Sequence, residues 1–282
     1  MSLVDLDYLR QWIGRETLVE DALAVRHAHL MAATLGLPQN ELVLGTPLPP
    51  LWHWLYFLEG LPSAELGRDG HPARGGFLPP VPQSNRMWAG GNVLFHADLP
   101  LGAVVQKRSR IQSIEHKQGR SGELVFVTVL HEVLHGGQVA VSETHDIVYK
   151  EPAPAAAVAV AAAPQPLPVA AHSKPFVPNS TLLFRYSALT FNGHRIHYDV
   201  DYCRNVEGYT NLVVHGPLNA TVLAAYAQEI AGRSLKQFRY RGLQPSLLGH
   251  ELTVNALPSD TGLTVWIGLP GGAVSMRAEA TF

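Results

Sequence analysis

Cysteine is nearly absent: Cys203 is the only one in 282 residues. A single thiol excludes a disulfide framework and a four-cysteine zinc site, and it suits a reducing compartment. Charge is also scarce. Charged residues make up 16% of the chain, against roughly 25% in an average globular protein. The net charge of −2 leaves no basic excess for a nucleic-acid footprint. A long unbroken apolar run is missing too. The one candidate, Pro152 to Ala171, holds Pro152, Pro154, Pro164, Pro166 and Pro168, which would break a spanning helix. The opening residues carry Asp5, Asp7 and Arg10, which fits neither a secretory core nor an acid-poor transit segment. The expectation is a cytoplasmic protein with no membrane and no nucleic-acid partner.

Hydrophobic residues are plentiful, at 46%, so a sizeable core can form. At about 150 residues per domain, the length is close to two domains. The Ala/Pro stretch reads as an extended spacer. It divides the chain into a first domain over 1–151, a linker over 152–174 and a second domain over 175–282.

The two domains show the same order of patterns. In the first, Leu18, Ala22, Val25 and Leu30 predict an amphipathic helix over Thr17–Leu35. A buried helix is expected over Leu51–Leu61, after the helix-starting Pro49-Pro50. Gly60 to Pro82 is rich in Gly and Pro and reads as a long loop of the kind that often carries function. Then come β-rich runs at Val93–Phe95, Val104–Glu115, Leu124–Leu134 and Gln138–Tyr149, with hairpin chemistry at Gly119–Gly122. In the second domain Phe184–Phe191 is strand-like and Asp199–Glu207 is short and polar. Leu218, Val222, Leu223, Tyr226 and Ile230 give the helix Pro217–Gly232 an apolar face, and Gly232 stops it. Four β-like runs follow: Phe238–Leu243, Glu251–Leu257, Leu263–Leu269 and Ala273–Phe282. A buried helix followed by an antiparallel meander, twice, defines an α+β fold class.

One apparent zinc motif is discounted. His131-Glu132-Val133-Leu134-His135 matches H-E-x-x-H, which works on a helix where residues i and i+4 share a face. Its flanks are β-rich, and four residues of strand span about 13 Å. The pair His27 and His29 is discounted because helical i, i+2 residues do not face each other. No metal is expected.

The chemistry concentrates in Thr190-Phe191-Asn192-Gly193-His194-Arg195-Ile196-His197-Tyr198-Asp199. After it comes Leu212-Val213-Val214-His215-Gly216-Pro217, an apolar run leading into the strongest helix. Exposed N–H groups at a helix N-terminus can stabilise a developing oxyanion.

At these residues the chain resembles the MaoC-like hot-dog hydratases and dehydratases, whose motif runs roughly S/T-G-D-x-N-P-x-H-x-D before an L-x-H-G-L helix start. His197 falls on that family's catalytic histidine, Asn192 on its catalytic aspartate, His194 on its asparagine and Gly216 on the glycine of the helix start. The departure at Asn192 matters, because a carboxamide cannot take a proton at neutral pH. The string N-G-H-x-I-H-Y-D, the segment Met87-Trp88-Ala89-Gly90-Gly91 and the turn Gly119-Arg120-Ser121-Gly122 before Leu124 narrow the resemblance. They look like the branch of mesaconyl-CoA (3-methylfumaryl-CoA) and itaconyl-CoA hydratases, which includes mitochondrial-type hydroxyacyl-thioester dehydratases.

That resemblance implies a double hot dog, with two central helices each wrapped by an antiparallel sheet. It implies one active site per chain, in the second domain, with the first completing the acyl tunnel. The implied activity is a hydro-lyase adding water to a 2-enoyl-CoA, with a branched C5 dicarboxylic acyl group as the expected substrate. No cofactor is expected beyond the coenzyme A of the substrate, and a homodimer is the expected assembly. His197 is assigned as base and proton shuttle, Asn192 as water-orienting residue and the Gly216 N–H as oxyanion donor. His194 is a candidate second donor. His215 is placed with the substrate-binding group or as a packed core histidine. Arg195 is the candidate grip for a free carboxylate, through the bidentate geometry of guanidinium. Lys236, Arg239 and Arg241 are candidates for the CoA phosphates. Asp199 is expected to cap the short helix after it. The alternatives are a 3-hydroxyacyl-thioester dehydratase of fatty acid synthesis and a catalytically inactive acyl-CoA-binding module.

Overall fold

The computed structural model describes residues 4–83, 85–119, 122–151 and 169–282. Most of the expected Ala/Pro linker therefore lies outside the described residues, as do Arg120 and Ser121 of the expected hairpin turn. Residues 172–174, read from sequence as the end of the linker, already belong to a strand.

The first half contains a short helix α1 (Leu6–Arg10), strand β1 (Glu16–Ala22) and helix α2 (Val25–Leu35). After a one-turn 3₁₀ helix at Trp52–Leu55 and a long loop come β2 (Asn85–Phe95), β3 (Val104–Gly119), β4 (Gly122–His135) and β5 (Gln138–Lys150). The second half has β6 (His172–Phe176), α3 (Ser180–Leu189), α4 (Val200–Tyr202) and α5 (Gly216–Ala231). It closes with β7 (Gln237–Gly242), β8 (Leu252–Ser259), β9 (Gly262–Gly268) and β10 (Val274–Thr281).

Among the described residues the ten strands form one antiparallel sheet in the order β1-β3-β4-β5-β2-β7-β10-β9-β8-β6. Counted within its own half, each set of five strands runs first-third-fourth-fifth-second, so the duplication suspected from the order of patterns is present in the topology. The halves join where β2 pairs with β7, from Gly90 opposite Arg241 to Leu94 opposite Gln237. Turn chemistry sets the hairpins locally. Gly136 and Gly137, at φ 58° and 80°, make the two-residue connection between β4 and β5 that a right-handed strand twist prefers.

Helix α5 packs on the face made by β7 to β10. Leu218, Ala220, Leu223, Ala224 and Ala227 are fully buried, as expected of a central helix that is apolar nearly all round. Pro217 starts it, and Gly232, left-handed at φ 61°, ends it with its N–H on the Gln228 carbonyl. One continuous core spans both halves, from Leu23, Met31 and Trp52 through Val93 to Phe238, Ile267 and Met276. A smaller core under α1 joins Leu9 and Val81 to Ile111, Val127 and Tyr149.

Three sequence expectations need correction. The predicted helix over Thr17–Leu35 divides into β1 and α2. Leu18 and Val19 are adjacent, exposed and paired with Arg108 and Lys107 of β3, a spacing that suits an edge strand. The predicted helix over Leu51–Leu61 is only the 3₁₀ turn at Trp52–Leu55. Left-handed Leu51 (φ 67°) and Phe57 (φ 60°) confine it to one turn. The first half thus has a buried aromatic turn where the second has a full central helix. Finally, Phe184–Phe191 is not a strand but most of α3. Its buried residues, Leu183, Tyr186 and Leu189, recur every three residues, and the Asn179 side chain caps the Leu182 N–H at 2.9 Å.

Candidate active site

The motif follows α3. The chain turns at Thr190, whose Oγ1 donates to the Tyr186 carbonyl, and enters the 3₁₀ turn Arg195–His197. His197 is buried, and its Nδ1 lies 2.7 Å from the Val213 carbonyl oxygen. A carbonyl only accepts, so Nδ1 carries the hydrogen and Nε2 keeps its lone pair. Burial holds the His197 pKa down at about 4, with the Val213 contact opposing the shift. The ring is therefore neutral, and available as a base, at physiological pH.

His215 lies beneath it. The two rings stack at 3.6 Å and 21°. His215 is fully buried, and its Nε2 meets Ser187 Oγ at 2.8 Å. Burial, then the charges that His197 and His194 would carry, holds its pKa far below the usual histidine range. Gly216 directly follows as the first residue of α5, where a helix N–H has no intrahelical acceptor. Trp88 closes over it: a Cβ on Gly216 would come within 2.6 Å of the indole. Trp88 in turn stacks on Tyr240 at 4.5 Å.

His194 stands edge-on to His197, at 5.4 Å and 87°. Its backbone N–H donates to Asn192 Oδ1 at 2.9 Å. The carboxamide oxygen of Asn192 thus closes a local turn, as Asn often does. Arg195 is committed elsewhere. Its Nη2 and Nε lie 2.7 and 3.1 Å from one Asp199 oxygen, its Nη1 donates to the Arg68 carbonyl, and its guanidinium covers Tyr202 at 4.2 Å. It is an anchored structural cation, not a free one. Asp199 also accepts the Tyr202 N–H at 2.9 Å, which caps α4. Arg239 and Arg241 are exposed on β7, while their neighbours Phe238 and Tyr240 turn into the core beside α5. The structure therefore turns these two arginines away from His197. Lys236 is exposed just before the same strand.

Sequence reasoning missed part of the site. The long loop of the first half lies across the motif, bringing Asp69 and His71. Asp69 Oδ2 and His71 Nδ1 are 3.1 Å apart, and the His71 ring is 4.1 Å from that of His194. The docking is tight. The Asp69 carbonyl accepts the Arg195 N–H at 2.9 Å, and a Cβ on Gly70, at φ 86°, would overlap the Gly193 carbonyl. A cavity of about 410 Å³ opens beside His71, with Arg68, Arg74, Arg86 and Tyr202 in its walls. The only available signal was the length of the loop, since nothing local marks Asp69, His71 or Arg86.

One oxygen of Asp69 and one ring nitrogen each of His71 and His194 lie within 4.8 Å of one another, the one such trio among the described residues. The positive charges of Arg86 and Arg74 act on His71 and disfavour a cation there, so the trio reads as a His71–Asp69 hydrogen bond packed against the His194 ring. The discounted H-E-x-x-H string lies on β4. There His131 meets Ser109 at 2.7 Å, Glu132 pairs with Arg108 and His135 is exposed at the strand end. His27 and His29 contact different carbonyls, those of Leu189 and Leu42.

Comparison with known proteins identifies the family. Residues 51–248 match the family model of hydroxyacyl-thioester dehydratase type 2. The chain belongs to that family. It is 41% identical, over 95% of both chains, to the mesaconyl-C(4)-CoA hydratase of Chloroflexus aurantiacus. It is 27% identical to the mitochondrial hydroxyacyl-thioester dehydratase type 2 of Schizosaccharomyces pombe, covering 90% of this chain and 93% of that one. Among solved structures, a MaoC-like dehydratase from Phytophthora capsici superposes with a TM-score of 0.74 at 15% identity, covering 99% and 98% of the two chains. A Mycobacterium tuberculosis protein described as a double hot dog superposes with a TM-score of 0.55 at 12% identity, covering 95% and 96%. This family member has the α+β double hot-dog fold and is an enzyme of the hydratase/dehydratase class, a carbon–oxygen lyase. Among the described residues, no helix is long and apolar enough to cross a membrane.

Proposed function

We propose that the protein adds water reversibly across the double bond of a 2-enoyl-CoA, with His197 as the base. The observation that carries this reading is the buried imidazole with Nδ1–H held by Val213 and, among the described residues, no hydrogen bond at Nε2, stacked on His215 at the start of α5. Nε2 takes a proton from water as the oxygen attacks Cβ. The π electrons move to the thioester oxygen, which the Gly216 N–H holds, and Cα is then protonated. Asn192 supports the loop more than it orients water, since its Oδ1 is engaged by His194. Read in reverse, the same groups dehydrate a 3-hydroxyacyl thioester, the activity that names the fission-yeast relative.

For the acyl group we favour a branched C5 dicarboxylate. The support is the 41% identity to a mesaconyl-C(4)-CoA hydratase and the basic cavity beside His71. With Arg195 bound to Asp199, Arg86 is the better partner for a free carboxylate.

Hydration is read by loss of enoyl-thioester absorbance, with mesaconyl-CoA, itaconyl-CoA and crotonyl-CoA compared side by side. A diacid is expected to be preferred, and His197→Ala is expected to lower kcat by about 100-fold or more. Preference for crotonyl-CoA would overturn the diacid assignment. An unimpaired His197→Ala enzyme would overturn the role of His197.

A further inference from the structure

Acid–base catalysis at this site lacks a carboxylate where the motif would place one. Asn192 occupies that position, and its oxygen is taken by the His194 N–H. Among the described residues no carboxylate bonds to His197, whose neighbours are the Val213 carbonyl and the rings of His215 and His194. The rings lead outward to one. His194 touches His71 at a ring distance of 4.1 Å, and His71 Nδ1 lies 3.1 Å from Asp69 Oδ2. A carboxylate only accepts, so His71 donates through Nδ1, and its Nε2 keeps a lone pair. Asp69 Oδ1 also accepts the His71 backbone N–H at 3.1 Å, which fixes the pair as a unit. Burial alone would raise the Asp69 pKa, but the hydrogen bonds from His71, with the positive charge of Arg86 behind them, leave it ionised well below the usual carboxylate range.

We propose that Asp69 and His71, from the first half of the molecule, supply through His194 the counter-charge for the proton that His197 takes from water. This rests on the hydratase reading above and deepens it. The resting imidazoles are neutral. When Nε2 of His197 accepts the proton, the oxygen–hydrogen bond of water breaks, the oxygen bonds to Cβ and the π pair moves to the thioester oxygen. The cluster then holds one positive charge, and Asp69 offsets it through His71 and His194. The proton passes to Cα as the thioester carbonyl re-forms, so the enzyme returns to its starting state with no other reactant. Asp69 and His71 touch no reacting atom; they are positioning residues. The other charged groups facing His71 are Arg86 and Arg74, which oppose an imidazolium and increase the need for Asp69.

The test compares Asp69→Asn, His71→Gln and His197→Ala with the wild-type chain in enoyl-CoA hydration, measuring kcat, KM and the pH dependence of kcat. Asp69→Asn and His71→Gln are each expected to lower kcat by about 100-fold with KM within about threefold. In Asp69→Asn the acid limb of kcat should move to lower pH, because an imidazolium without its counter-charge loses its proton sooner. A merely structural defect would leave that limb in place. If both variants keep kcat within about twofold while His197→Ala is inactive, this proposal is overturned and the hydratase reading stands. If KM rises and kcat does not change, Asp69 and His71 bind substrate instead, which also overturns it. If the wild-type chain hydrates no enoyl thioester, the hydratase reading falls and the proposal falls with it.

Discussion

The base role proposed for His197 depends on its burial. A base must be unprotonated to act, and with a pKa near 4 the imidazole keeps its lone pair well below neutrality. Activity that requires this base is present above about pH 4 and is lost as the pH falls through it. The acid limb of kcat/KM is expected near pH 4 and not near 6.5, the ordinary histidine value. A pH–rate profile with its acid limb near 6.5 would show that another group titrates. Gly216 is constrained differently. A methyl group there would lie 2.6 Å from the Trp88 ring, which cannot move freely because it stacks on Tyr240. Gly216→Ala is expected to cost about 1–3 kcal/mol in overpacking and to displace the N–H proposed to hold the thioester oxygen. Melting temperature and kcat should both fall; a variant with neither changed would mean that the indole yields.

At the scale of elements, α3 and α5 hold His215, on which His197 stacks. Helix α3 presents Ser187 to His215, and the residue before α5 is His215 itself. The Asn179 cap starts α3, satisfying the Leu182 N–H at 2.9 Å. Asn179→Ala is expected to cost about 1 kcal/mol, a drop of about 2–4 °C in melting temperature. Calorimetry checks this, and an unchanged transition would show that packing of Leu183, Tyr186 and Leu189 holds the helix unaided. The loop between the 3₁₀ turn and β2 is the other element that matters. Over the motif it is secured by backbone contacts, Arg195 N–H to the Asp69 carbonyl and Gly70 against Gly193, while Val81, with Phe77 and Leu78, anchors its later part in the smaller core.

Across the whole molecule, the join between the halves is more than the β2–β7 ladder. Glu143 on β5 is buried. It accepts from His53 Nε2 at 3.0 Å, from Trp54 Nε1 at 2.9 Å and from Tyr240 Oη, across the join, at 3.3 Å. Burial alone would raise its pKa, but the hydrogen bond and charge of His53 outweigh this and bring it to about 2, so the group is a carboxylate at neutral pH. Glu143→Ala would leave three donors buried without an acceptor. It is expected to destabilise the fold by about 3 kcal/mol or more, with a smaller loss for Glu143→Gln. Urea unfolding measures the difference, and equal midpoints for wild type and Glu143→Ala would remove Glu143 from any linking role.

The sequence alone was enough for whatever depends on neighbours along the chain. Period-2 runs and paired glycines specify the meander strands. An apolar stripe between Pro217 and Gly232 specifies α5. The run from Asn192 to Asp199 carries its family likeness openly, because its spacing is local. Where periodicity is ambiguous, contacts distant in sequence decide the element. Phe184–Phe191 is rich enough in large residues to pass for a strand, and Leu51–Leu61 for a helix, until left-handed Leu51 and Phe57 confine the latter to one turn. The pairing of Asp69 and His71 with His194 and His197 was decided only by tertiary structure. So was the engagement of Arg195 by Asp199 and the Arg68 carbonyl, and the outward direction of Arg239 and Arg241. These features depend on which surfaces meet when a duplicated sheet closes through β2 and β7 and a loop from one half docks on a turn of the other. No periodicity or spacing along the chain encodes such long-range contacts, because their energy exists only once both halves are folded.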